Sequence, residues 1–181
     1  MIIRPVNPND QDQLFECFQE AQVKADDIVH KPISGFYEYN LDYEALKQRA
    51  QTPFSLILEN SKGKIISYML AYPLKDLDKI KDFDPVHEAI KNLDEKAVYL
   101  DQVYLKKGFP IYFAMRLFDK WDHLNQNEKI SMIIGAVPFA PWRNHTSERM
   151  VAYRGLRRFG FAEDEKVRLA LFEKPYYNLK Q

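Results

Sequence analysis

The sequence predicts a mixed, three-layer α/β domain built on one central sheet. Three observations point to it. The runs FSLILEN and KIISYMLAYPL flank a glycine-containing turn and read as a hairpin. AVYLDQVYL, a helical pattern and the apolar run KISMIIGAVP follow one another as a βαβ unit, which makes the two strands parallel. A further helical pattern leads to the alternating closing strand KVRLALFEKP.

Each element has a local reason. MIIRPV is a short strand stopped by NPND. Asp10 is placed to cap a helix running to about Ala25, with Leu14, Phe18 and Ala21 on one face. IVHKPISGFYEYN is irregular, broken by Pro32 and Gly35. Asn40 or Asp42 caps a second helix carrying Tyr43, Leu46 and Ala50 on one face, and Pro53 ends it. After the hairpin, which turns at Gly63, comes a charged stretch from Lys75 to Lys96. It holds a helix after Pro85 with Val86, Ile90 and Leu93 inward, and reads as a surface insertion (about 75–96) on a single domain, 1–181. The helix after AVYLDQVYL lines up Ile111, Ala114, Met115, Phe118 and Trp121. HTSERMVAYRGLRRFGF reads as a helix stopped by Gly160.

Composition narrows the function classes. With 181 residues, 46% hydrophobic and 29% charged, the chain is an ordinary globular one. Its formal net charge is zero, so nothing global argues for nucleic acid or an anionic membrane. No apolar run approaches the ~20 residues of a membrane span. MIIRPVNPND lacks the charged-then-apolar run of a signal peptide, so a cytoplasmic location is expected. Cys17, the single cysteine, has no disulfide partner and sits in a helical pattern as filler. No metal-ligand spacing, P-loop, G-x-S-x-G or dinucleotide fingerprint is present.

Taken together, the elements resemble the GNAT acyltransferase superfamily. IIRPVNPND is similar to its first strand and acidic helix cap, and LILENSKGKIISYMLAYPL to its second and third strands. YLDQVYL with the next helix resembles its fourth strand and acyl-CoA-binding core. MVAYRGLRRFGF resembles the penultimate helix with its Gly-Phe ending, and KVRLALFEKP the closing strand. A subgroup with a YVDRI-like fourth strand and a proline- and asparagine-containing loop is more similar still, through YLDQV and PFAPWRNHTS. The resemblance covers nearly the whole chain outside the charged insertion. It implies an α/β/α fold whose mixed sheet contains a splayed parallel pair. It also implies acetyl transfer from acetyl-CoA to an amine of a small molecule or protein, by direct transfer in a ternary complex and without a metal. The alternative is a non-catalytic binding module. A homodimer is compatible with either, while membrane and nucleic-acid partners are not expected.

The resemblance also implies site residues. The family's pyrophosphate loop has the form Gln/Arg-x-x-Gly-x-Gly/Ala. Here Ala114 falls at the last small position, preceded by Phe109, Pro110, Ile111, Tyr112 and Phe113, so the loop is degenerate. Gly108 is a shifted candidate for the first glycine. Pro110 offers no N–H but fits a first helical turn, leaving those of Ile111, Tyr112, Phe113 and Ala114 to meet phosphate. Lys106 and Lys107 either add charge there or are simply solvated. Backbone groups of Val103, Tyr104 and Leu105 are expected to bond the pantetheine arm. Gly135 marks a bulge, a close approach or a packing position. Asp101 is either a general base or a structural hydrogen-bond partner. The usual tyrosine slot, counted back from Gly160, holds Leu156. Tyr153 either reaches the leaving thiolate or is core. His145 is a base or a surface residue, and Asn144 a coenzyme A contact or a helix cap. Arg149, Arg154, Arg157 and Arg158 make that helix basic. Tyr37, Tyr39, Tyr68 and Tyr72 are expected along the acceptor side.

Overall fold

The computed structural model describes residues 1–23, 36–37, 41–80, 84–140, 143–163, 165 and 168–176. In chain order the elements are β1 (Ile2–Pro5), α1 (Gln11–Ala21), α2 (Tyr43–Ala50), β2 (Leu56–Glu59), β3 (Ile65–Pro73), α3 (Asp84–Ile90), β4 (Val98–Leu105), α4 (Tyr112–Asn125), β5 (Met132–Ala140), α5 (His145–Tyr153), β6 (Arg157–Glu163) and β7 (Arg168–Pro175). Two 3-10 turns, Pro8–Asp10 and Leu74–Lys79, precede α1 and α3. A two-residue parallel bridge joins Gln22–Val23 to Phe36–Tyr37.

The seven strands run β1-β2-β3-β4-β5-β7-β6. Only β4 and β5 are parallel, as the βαβ reading requires. The hairpin β2–β3 turns at Gly63, φ +69°, where Asn60 Oδ1 accepts the N–H groups of Lys62 and Lys64. Helices α1 and α2 bury Leu14, Cys17, Phe18, Leu46 and Ala50 against one face of the sheet, with Tyr68, Leu70 and Tyr104. On the opposite face α4 buries Leu117, Phe118 and Trp121 against Leu56, Met69 and Leu100, and α5 adds Val151. The Trp121 indole N–H donates to the Phe54 carbonyl at 3.0 Å, so this large ring is buried with its polar atom satisfied.

Several expectations change. The first turn is capped by Asn7, not Asp10, and α1 ends at Ala21. Asp10 instead takes the Arg4 fork at 2.7 and 2.8 Å and the Asn7 N–H at 2.8 Å. Burial works to raise its pKa, but Arg4 and Asn7 outweigh that and hold it below the usual carboxylate range. Asp42, the second alternative for α2, is the cap used: it accepts the Ala45 N–H at 2.7 Å. The segment 75–96 is more than a surface appendage. Leu74, Leu77, Ile80, Val86 and Ile90 pack with Tyr72, Tyr99, Ile134 and Leu171, covering the sheet beyond α2.

The largest change is at the end of the last helix. The stop is Gly155, φ +79°, not Gly160. The Gly155 N–H donates to Ala152 O at 2.9 Å and the Leu156 N–H to Val151 O at 3.0 Å, the paired bonds of a Schellman ending. RRFGFAE is then the edge strand β6, with Gly160 beside a register shift. An L-residue at 155 would have to hold a left-handed conformation. Gly155→Ala should therefore cost about 1 kcal/mol; urea denaturation showing a change below about 0.3 kcal/mol would contradict this assignment of the helix end.

Candidate functional site

The site begins as a fault in the sheet. Along β3–β4 the register pairs Leu70 with Gln102 and Ala71 with Leu100, so Asp101 is an extra residue on β4. Such a bulge bends its strand and sharpens the twist. On the other side β4 pairs with β5 only at Val98–Ile133, Tyr99–Ile134 and Leu100–Gly135. Beyond Leu100 both strands continue, to Leu105 and Ala140, without pairing to each other, which leaves an opening whose apex is Leu100–Gly135.

The edge of this opening is main chain. The Lys106 N–H donates to Ile66 O at 2.9 Å, toward β3. With a period of two, the N–H and C=O of Leu105 and Val103 face the opening, where no described strand pairs with them. Asp101 is partly exposed as a residue, yet its side chain is only 2% exposed, so its exposed atoms are main-chain. The half-buried side chains Val103, Phe109, Phe113, Phe139 and Met150 pack on the adjoining core. Unpaired backbone between apolar walls requires water or an extended ligand to complete its hydrogen bonds.

At the wide end stands the N-terminus of α4. Gly108, φ +91°, makes the turn, and the Phe109 N–H closes it on Lys106 O at 3.2 Å. The Phe113 N–H donates to Pro110 O at 3.0 Å, so it is used within the turn. No side chain caps the helix. Ile111 and Tyr112 are 48% and 61% exposed, and their N–H groups have no partner among the described residues. Ala114 is buried beneath them. An uncapped helix start with exposed donors suits an anion.

The predicted side chains are placed as follows. Lys106 turns away from α4 and pairs with Glu20 at 3.1 Å. Lys107 and Gly108 are exposed. Tyr104 is buried and donates to Glu20 at 2.9 Å; burial, nearby Cys17 and the Glu20 carboxylate all raise its pKa. Asp101 faces α2, where its carboxylate lies 3.6 Å from the Arg49 guanidinium, itself 0% exposed. Asn144 caps α5 by accepting the Ser147 N–H at 3.0 Å, and its own N–H binds Pro138 O at 3.0 Å. His145 lies 3.5 Å from Glu148 with its ring largely exposed.

Tyr153 is not core: it is 80% exposed at the end of α5, on the side opposite buried Val151. It lies about 12 Å along the helix axis from His145, and α5 packs on the face of the sheet opposite to α2, toward which Asp101 points. Asp101, His145 and Tyr153 are therefore not brought together. Tyr68 and Tyr72 are 0% exposed, so they are core and do not line an acceptor surface. Tyr39 and the side chain of Tyr37 lie outside the described residues. Gly135 pairs regularly with Phe172, and a Cβ there would meet Leu100 O and Leu156 at an ordinary 3.9 Å, so it marks neither a bulge nor a close approach. Arg154 ties α5 to α4 through Asp119, at 2.7 Å, and Asp122. Arg157 and Arg158 lie on β6, not on a helix.

Arg49 was missed by sequence reasoning. Its signal was present: an arginine beside Leu46 and Ala50, on the buried side of a helix. Among the described residues no cluster of His, Cys, Asp or Glu could hold a metal ion, and no helix is long and apolar enough to cross a membrane.

No family model and no curated protein sequence matches this chain. Its fold is nevertheless shared with solved structures. A GNAT-family acetyltransferase from Listeria monocytogenes 4b F2365 aligns with TM-score 0.64 and 16% identity, over 97% of this chain and 94% of that one. The ribosomal-protein-S18-alanine N-acetyltransferase of Escherichia coli aligns with TM-score 0.65 and 8% identity, over 96% and 92%. The loading GNATL domain of CurA from Lyngbya majuscula aligns with TM-score 0.66 and 10% identity, over 96% of each. The chain thus has the α/β fold of GNAT acetyltransferases, with a seven-stranded mixed sheet and the parallel pair β4–β5. At these identities the likeness is one of fold, and chemistry must be argued from the site.

Cys17 is removed from that chemistry. Burial, then the charge of Glu20, pushes its thiol up to about 11. At pH 8 a thiol reagent should label native Cys17 at least about a hundredfold more slowly than the denatured chain, from loss of thiolate alone. Equal rates in stopped-flow labelling would contradict its buried position.

Proposed function

We propose that this protein is an acyl-CoA-dependent N-acyltransferase that moves an acetyl group from acetyl-CoA to an amine. The observation that supports it best is the opening between β4 and β5, with its unpaired main-chain edge. A pantetheine arm is extended and carries amides, so it suits the N–H and C=O of Val103 and Leu105. The pyrophosphate suits the N–H groups of Ile111 and Tyr112 at the α4 terminus, with Lys107 nearby and the neighbouring loop supplying its turn at Gly108. The thioester then lies toward the apex, beside the bulge at Asp101. The amine nitrogen attacks the thioester carbonyl carbon, the C–S bond breaks and coenzyme A leaves as thiolate.

The chain contributes mainly by holding two reactants together, an effect worth several kcal/mol. The ammonium gives its proton to water, because Asp101 is turned to the α2 face and His145 and Tyr153 stand at opposite ends of α5 on the other face. That same separation favours a second reading, a GNAT-like module that binds acyl-CoA without turnover. The absence of a leading Gln or Arg before "KKGFP" is in keeping with either reading. A cytoplasmic location is consistent with both, since acyl-CoA is supplied there.

Titration calorimetry with acetyl-CoA tests both readings: absence of binding at millimolar ligand removes them together. Turnover across a panel of amines then separates enzyme from binding module. The phosphate assignment has its own test. Tyr112→Glu places a carboxylate in the first turn of α4, which the helix dipole tolerates or favours. It should leave the melting temperature unchanged or slightly raised while weakening acetyl-CoA binding about tenfold through repulsion. Unchanged affinity would place the phosphates elsewhere.

A further inference from the structure

We infer that the segment from Arg49 to Ser55 is a clamp that holds the β4 bulge in shape, with Arg49 as positioning residue for Asp101. Its consequence for acyl transfer rests on the acyl-CoA reading above; its structural part does not. The first support is the pattern VYLDQVYL. Asp101 and Gln102 are consecutive, yet both point to the α1–α2 face, because the extra residue breaks the alternation of the strand. Gln102 is 2% exposed and accepts the Tyr68 hydroxyl at 3.1 Å; the Asp101 side chain is equally buried and pairs with Arg49. A carboxylate is withdrawn from water only when it is compensated, so losing Arg49 removes a buried cation from beside the bulge residue and raises the cost of keeping it buried.

The second support comes from the other side of the same fault. Ala71 is the β3 residue opposite Leu100, where the register shifts. Its N–H donates to Ser55 Oγ at 3.1 Å, and its carbonyl is met by Ser55 Oγ at 3.2 Å and by the Thr52 hydroxyl. Ser55 Oγ also lies 3.2 Å from Arg49 O and 3.1 Å from Thr52 Oγ1. Seven consecutive positions, 49–55, therefore hold Asp101 through Arg49 and the strand facing it through Ser55 and Thr52. The bulge in β4 cannot be lost without disturbing contacts that this segment makes to one strand or the other. The bulge in turn sets where β4 leaves β5, and so the direction of the main-chain groups of Val103 and Leu105.

The test uses the full chain without ligand first. Amide hydrogen exchange over residues 100–106 is compared with exchange in β7 for the wild type, Arg49→Met, Asp101→Asn, Arg49→Lys, Ser55→Ala and the double variant Arg49→Met/Asp101→Leu. A clamp predicts that exchange over 100–106 rises about tenfold in Arg49→Met and Asp101→Asn while β7 is unchanged. Arg49→Lys should retain part of the protection, and Ser55→Ala should lose a smaller part. The double variant, with no buried charge, should regain the melting temperature yet keep the fast exchange and a tenfold weaker acetyl-CoA affinity. Should the single charge variants fail to fold, Ser55→Ala and the double variant carry the comparison. Exchange that rises equally in β7, or a double variant that restores affinity with stability, overturns the inference. So does loss of turnover in Asp101→Asn with retention in Arg49→Met, which would make Asp101 a base. If the wild type takes up no acetyl-CoA, the functional reading fails, while the exchange comparison still decides the clamp.

Discussion

One extra residue in β4 marks the place where the central sheet of this molecule comes apart. A parallel pair of strands is normally zipped along its length, and β4–β5 is zipped for three residue pairs only. The bulge at Asp101 stands immediately after the last of these pairs, Leu100–Gly135. The opening, its main-chain edge and the α4 terminus all lie beyond that point in the chain. The sheet gives up several ladder bonds there, which is unfavourable unless water or a ligand replaces them. The large apolar contacts elsewhere, among them Trp121, Leu117 and Leu56 on one face and Leu14, Leu46 and Tyr68 on the other, hold the rest of the sheet around the gap.

The arrangement separates two jobs. In the proposed reading, binding falls to main chain and to a helix terminus, which tolerate varied side chains. This explains how a loop as bulky as KKGFP, followed by Ile111 and Tyr112, can still present donors: the exposed side chains stand outward and Ala114 is the residue tucked beneath. Charge is used elsewhere. Lys106 is committed to Glu20 and Arg154 to Asp119 and Asp122, so neither of these cations is spare for a ligand. The residues that would carry acid–base chemistry are dispersed over a buried strand face, a helix start and a helix end.

The sequence reading was most accurate where one local rule governed. The hairpin at Gly63 and the strand–helix–strand unit depend on turn and period and were legible, and the α2 cap was narrowed to Asn40 or Asp42. It failed at the last helix because two glycines competed. Gly155 and Gly160 both punctuate the run, and only the positive φ of Gly155 and its Schellman bonds decide between them. The edge strand β6 was consequently absorbed into a helix. Its alternation is poor because most of its residues are exposed at the sheet's rim.

The site divides along the same line. Residue order alone determined the class of fold, the parallel pair and the stretch Val98–Ala114 as the place to look, because periodicity and turn chemistry are local properties. The family resemblance added Asp101, Asn144 and Tyr153 as polar residues in notable positions. Tertiary structure decided what each does. Asp101 meets Arg49 from a helix some fifty positions away in the chain, Asn144 caps, and Tyr153 faces solvent. A register shift of one residue sets the direction of every side chain beyond it. That shift is fixed by packing between β3, β4 and the 49–55 segment, and no local pattern in VYLDQVYL records it.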